Sequence, residues 1–116
     1  EQLIINFVVN ARDAMPTGGS LVIESSDFRP SPEIREAHVE FDDTDYLKLS
    51  IVDTGIGMAP EIQSKLFEPF FTTKEVGKGT GLGLSTCFGI VRQAGGTILF
   101  DSAPGHGTSF YIYLPI

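Results

Sequence analysis

The sequence predicts an α+β fold in which one sheet is covered by helices on one face. Three observations carry that prediction. Residues 1–15 and 82–94 are apolar at helical spacing and end at proline or glycine. Residues 20–28, 46–53, 97–101 and 108–114 read as strands, each bounded by turn-forming residues. At 116 residues the chain is long enough for one hydrophobic core and one domain.

In the first helix Leu3, Ile4, Ile5, Phe7, Val8, Val9, Ala11, Ala14 and Met15 surround nearly the whole circumference, so deep burial is expected. Gln2, Asn6, Asn10 and Asp13 break the pattern, falling within an arc of about 80°. Such a stripe either faces solvent and neighbouring backbone or forms one wall of a polar site. No capping residue or leader precedes this helix, so the sequence reads as a piece of something longer. After strand 20–28, residues 31–45 hold six acids against Arg35 alone and read as a solvated, mobile excursion. Strand 46–53 alternates at Leu47, Leu49 and Ile51. A short helix follows over 60–66, with Pro60 in its first turn. Residues 67–80 form a loop of Phe, Thr, Lys and Gly. Helix 82–94 puts Leu84, Phe88, Val91 and Ala94 on one face and stops at Gly95. The last two strands flank the turn Pro104-Gly105-His106-Gly107.

Composition excludes several classes. Eight Lys and Arg against fifteen Asp and Glu give a net charge of −7, which argues against a nucleic-acid binder. No apolar run approaches the roughly 20 residues of a membrane span. The single cysteine supports no disulfide framework and no structural zinc site, and a reducing aqueous compartment is the default. Thirteen glycines, about 11% against a typical ~7%, cluster in loops, where backbone must turn sharply or approach a ligand closely.

Two of those loops suggest chemistry. Gly77-Lys78-Gly79-Thr80-Gly81-Leu82-Gly83 runs into a helix, and backbone N–H groups at a helix start suit an anion such as phosphate. It has neither Walker A nor Rossmann spacing, and taken alone it also fits a packing turn. Asp53, at the end of a strand and followed by Gly55 and Gly57, either caps local backbone or accepts a hydrogen bond from an exocyclic amine.

Five motifs occur in order: Asn6 and Asn10, Asp53-x-Gly55-x-Gly57, Phe67-Glu68-Pro69-Phe70-Phe71, Gly79-x-Gly81-x-Gly83, and Gly105-x-Gly107-Thr108-x-Phe110. Together they resemble the N, G1, F, G2 and G3 boxes of the catalytic, ATP-binding domain of two-component sensor histidine kinases. That domain is part of the gyrase, Hsp90, histidine kinase and MutL superfamily. The resemblance spans residues 1–116 and implies a two-layer α/β sandwich with a mixed sheet and a flexible ATP lid over residues 67–80.

It also implies roles. Asn10 would coordinate Mg²⁺ bridging the ATP phosphates, with Asn6 beside it touching phosphate or metal. Asp53 would bind the adenine amine with help from Gly55, Gly57, Met58 and Thr108. Gly79, Thr80, Gly81, Leu82 and Gly83 would line the phosphates, Lys74 or Lys78 would reach phosphate oxygens, and Phe70 and Phe71 would anchor the lid. Two positions depart from the pattern. Asp13 stands where many such kinases carry a basic residue, and Asn6 stands where the ATP-hydrolysing relatives carry a glutamate base. An amide cannot take a proton from water, which favours phosphoryl transfer over hydrolysis.

The expected partners are a helical dimerisation domain of the same protein bearing the phosphoacceptor histidine, and a downstream response regulator receiver domain. Nucleic acid and membrane contact are not expected, and the isolated piece should be a cytoplasmic monomer with little kinase activity of its own. The competing readings are an ATP-hydrolysing relative and an inactive module that binds nucleotide or a protein partner. His38 and His106 read as surface residues, and Cys87 as a small buried thiol.

Overall fold

The alternating apolar residues of the strand segments need a common cover, and the register shows how they find one. The computed structural model describes residues 2–67 and 83–116. The chain runs α1 (Gln2–Asp13), β1 (Leu21–Phe28), α2 (Pro32–Ala37), β2 (Tyr46–Asp53), α3 (Pro60–Gln63), α4 (Gly83–Gln93), β3 (Thr97–Ser102) and β4 (Thr108–Pro115). The four strands form one sheet in the order β1-β2-β4-β3.

All three strand pairs are antiparallel, which corrects the expectation of a mixed sheet. The reason lies in the crossover. The chain between β2 and β3 brings β3 back parallel to β2 but leaves a gap one strand wide. β4 turns back into that gap and separates the two parallel strands.

Cross-strand pairing sets side chains in rows on the face beneath α1 and α4. One row reads Leu21, Asp53, Thr108, Ser102; the next reads Ile23, Ile51, Phe110, Phe100; a third reads Ser25, Leu49, Ile112, Ile98. The middle of this face is the main core, where Ile51, Phe110, Ile112 and Ile98 meet Leu3 and Phe7 of α1 and Cys87 and Val91 of α4. Phe7 lies against Phe110 with ring centroids 4.9 Å apart, and burying one such ring contributes about 1.5–3 kcal/mol. Phe67 stacks on Phe88 at 4.8 Å and so pins the start of the expected lid; the remaining lid residues, with Phe70 and Phe71, lie outside the described residues. The first row is different. At the end of the same apolar face it is mostly polar, and Asp53 and Thr108 are both buried.

Two expectations need correcting. The first helix is only half sunk: Leu3, Phe7 and Ala11 form its buried seam, whereas Ile5 is 51% exposed. A helix lying on a two-layer structure has one flank to bury, however apolar the others are. The acidic segment is also not a solvated excursion, because Ile34 and Phe41 give it an inward side. Ser31 caps α2 by accepting from the Ile34 N–H at 3.2 Å. Phe41 then packs on the second face of the sheet, 4.9 Å from Tyr113 and 5.4 Å from Tyr46, making a second small core. Arg29 ties the segment back through Asp43 at 2.8 Å and Asp45 at 2.9 Å. Helices therefore lie on both faces, with α1 and α4 on one and α2 on the other.

Candidate functional site

The polar row is built from strand ends. β2 ends at Asp53 because Gly55 and Gly57 follow; β4 begins at Thr108 after Gly105 and Gly107 have reversed the chain. The two loops interlock through their glycines. Gly57 has φ +73°, and a Cβ there would collide with the Ala103 carbonyl oxygen. Gly107 has φ +75°, and a Cβ there would collide with the Asp53 carbonyl oxygen. These glycines therefore serve backbone-on-backbone packing around Asp53.

That packing fixes the carboxylate. Asp53 Oδ1 accepts from the Gly55 N–H at 2.9 Å and from the Thr108 N–H at 3.2 Å. Among the described residues nothing donates to Oδ2. One oxygen is thus held by the scaffold, and the other keeps its acceptor capacity.

Beside it stands Ser102, whose Oγ accepts from the Met58 N–H, donates to the Gly107 carbonyl and meets Thr108 Oγ1, each at 2.9 Å. Gln63, at the end of α3, donates from Nε2 to the carbonyls of Met58 at 2.8 Å and Ser102 at 3.1 Å. Asp53, Gly55, Gly57, Met58 and Thr108 are therefore brought together at one end of the sheet.

The Asn stripe reaches this end through the last turn of α1. The Ala14 carbonyl accepts from the Ile56 N–H at 2.9 Å, and Gly55 lies so close that a Cβ would stand 2.5 Å from the same oxygen. Asn10 is one turn before Ala14; its side chain is half-buried and bonds to none of the described residues. One turn earlier, Asn6 Nδ2 donates to Cys87 Sγ at 3.6 Å. Cys87 is one turn into α4, which starts at Gly83. The stripe thus spans from the loop after Asp53 to the first turn of α4. Asp13 meets its neighbour Arg12 at 3.4 Å on the surface. Burial raises the Cys87 thiol above its ordinary range, partly offset by the Asn6 hydrogen bond.

The model of the histidine kinase-, DNA gyrase B- and HSP90-like ATPases matches residues 1–116. The chain belongs to that ATPase family. Within it, this domain is 47% identical over 115 residues to the sensor kinase CckA of Brucella abortus, covering 99% of this chain and 12% of that protein. It is 36% identical to sporulation kinase E of Bacillus subtilis, covering all of this chain and 14% of the other. The catalytic domain of histidine kinase ThkA superposes with a TM-score of 0.72 at 32% identity, over 98% of this chain and 64% of that one. Full-length ShkA, in complex with AMPPNP, superposes with a TM-score of 0.73 at 26% identity, over 98% of this chain and 20% of that one. The relatives are sensor histidine kinases, of which the chain spans roughly an eighth.

For this ATPase domain, Lys74, Lys78, Gly79, Thr80, Gly81 and Leu82 lie outside the described residues, and Gly83 is the first residue of α4. Sequence reasoning missed Ser102 and Gln63. Ser102 had a signal: folding the closing strands about their turn sets it directly opposite Thr108. Gln63 had none, since its partners are carbonyls 5 and 39 residues away. No helix among the described residues is long and apolar enough to cross a membrane.

Proposed function

We propose that this domain binds Mg-ATP and donates the γ-phosphoryl group to a histidine on a separate helical dimerisation domain, from which a response regulator receives it. The observation that carries the reading is Asp53: its Oδ1 is held by two backbone N–H groups and its Oδ2 is left to accept an exocyclic amine. Thr108, Gly57 and Met58 surround that oxygen's end of the sheet, and the Asn stripe leads from it toward α4. Phosphates lying along that line would meet Asn10, Asn6 and then the first turn of α4, with Gly79 to Gly83 as the expected amide donors.

Asn10 fits the metal by chemistry. A hard cation takes oxygen ligands, and the amide oxygen of Asn10 would offer one. No cluster of three or more His, Cys, Asp or Glu among the described residues competes for it. The bound cation would neutralise phosphate charge; the chain's own part is to position. Asn6 offers an amide with no basic lone pair for a proton from water, which supports transfer over hydrolysis. The histidine-bearing domain is expected elsewhere in the parent protein, with this domain in the cytoplasm.

The test is calorimetric titration of the domain with a non-hydrolysable ATP analogue, with and without Mg²⁺. Asn10→Ala should abolish the Mg²⁺-dependent gain in affinity and leave the Mg²⁺-free affinity nearly unchanged. An Asn10→Ala protein that keeps the full Mg²⁺ gain contradicts the assignment.

A further inference from the structure

A buried sulfur lies directly against the Asn stripe of α1 without belonging to it. Cys87, on α4, is 0% exposed and shares the main core with Leu3, Phe7 and Val91. Its Sγ meets two groups of α1, Asn6 Nδ2 at 3.6 Å and the Leu3 carbonyl oxygen at 3.8 Å. A thiol has one hydrogen, and burial keeps it in place by raising the thiol above its ordinary range. The Leu3 carbonyl can only accept, so the hydrogen goes to it. The sulfur then has only lone pairs for Asn6, and the NH₂ end of the amide is the end that can meet them. The reversed amide would set two oxygens around one hydrogen. The two ends of an amide are nearly alike in shape, so packing alone does not choose between them and the hydrogen-bond partner does.

We infer that Cys87 is a positioning residue for Asn6: by holding Nδ2 at its sulfur, it makes Oδ1 the end of the amide turned away from the core. This rests on the nucleotide reading above and deepens it, because the two ends of the amide suit different parts of Mg-ATP. An oxygen serves Mg²⁺ or a water bound to it, whereas an NH₂ in the same place would serve a phosphate oxygen. Cys87 touches neither and acts only through Asn6. A cysteine suits the task, since it packs as a small hydrophobe and still carries a weak donor and a weak acceptor.

The experiment titrates the 116-residue chain with a non-hydrolysable ATP analogue, with and without Mg²⁺, for the wild type, Cys87→Val and Cys87→Ala, each also combined with Asn6→Ala. Val and Ala offer the amide no acceptor, so its NH₂ is released to turn outward. The ratio of the affinities with and without Mg²⁺ should fall about threefold or more, the weight of one modest hydrogen bond. The Mg²⁺-free affinity should hold or rise. With Asn6→Ala already in place, neither Cys87 substitution should move the ratio. A thiol that merely fills the core would lower both affinities and the melting temperature together and leave the ratio unmoved, which overturns the inference. A second readout needs neither nucleotide nor metal: by NMR, the Asn6 side-chain amide protons should exchange slowly with solvent in the wild type and faster in both Cys87 variants. Equal exchange in all three also overturns the inference. A wild type that binds no nucleotide overturns the underlying functional reading instead, and the exchange measurement still decides whether Cys87 holds Asn6.

Discussion

Replacing Gly107 by Ala should be far more damaging than replacing Gly105, although the two lie two residues apart in one turn with φ of +75° and +79°. The shared cost is the left-handed backbone, about 1–2 kcal/mol for an L side chain. At Gly105 nothing stands within 4 Å of a new Cβ, so that is the whole cost. At Gly107 the Cβ would also collide with the Asp53 carbonyl oxygen and stand 3.1 Å from Thr54 Cα. Both neighbours are backbone and cannot swing away, so an overpacking cost of about 1–3 kcal/mol is added. For a domain of this size, about 1 kcal/mol moves the melting temperature by about 4 °C. Gly105→Ala should therefore lower it by about 4–8 °C and Gly107→Ala by about 8–20 °C. The same push tilts Asp53, so Gly107→Ala should weaken ATP binding well below its melting temperature while Gly105→Ala should not. Differential scanning calorimetry and nucleotide titration read both effects. Equal melting shifts would show that the turn is loosely packed and that the interlocked-loop picture of Asp53 is wrong.

Phe41→Ala should cost about 3–5 kcal/mol in urea denaturation, because its buried ring touches Phe28, Tyr46 and Tyr113, yet leave ATP affinity unchanged since it lies on the opposite face from Asp53. A loss under about 1 kcal/mol would mean the acidic segment is not anchored. Burial raises both the Cys87 thiol and the Tyr113 hydroxyl, so each loses its proton at lower pH in the unfolded chain than in the folded one. Their contribution to stability is full below pH 9 and falls as pH rises through and above the ordinary values of 9.0 and 10.0. Denaturation midpoints should decline across that window, and Cys87 should react with a thiol reagent only as fast as the domain opens; rapid labelling of folded protein would contradict its burial.

How far the sequence reveals this molecule differs by region. Asp53, Gly57 and Gly107 were legible because a strand-end carboxylate and paired glycines leave a local mark, although their role in locking two loops together needs three-dimensional proximity. The seam of Leu3, Phe7 and Ala11 was hidden by the equally apolar Ile5 and Val9, since composition cannot say which flank of a helix finds a partner. The second core was masked by charge: Ile34 and Phe41 sit among six acids, and a net-charge reading outweighs two apolar side chains that happen to face inward. The antiparallel order was not legible either, because the insertion of β4 between β2 and β3 depends on how far the crossover reaches. Gln63 illustrates the same limit within the site, as side-chain bonds to distant carbonyls leave no pattern in the chain.

Calorimetric titration of Asp53→Asn with ATP tests the central claim most directly. Asn keeps an Oδ1 that can accept from the Gly55 and Thr108 N–H groups, so the fold and melting temperature should be little changed. It replaces the acceptor Oδ2 by an NH₂ donor where the proposed reading puts the adenine amine, and ATP affinity should fall at least about 100-fold. A folded Asp53→Asn protein that binds ATP as the wild type does would show that the base is not read at Asp53.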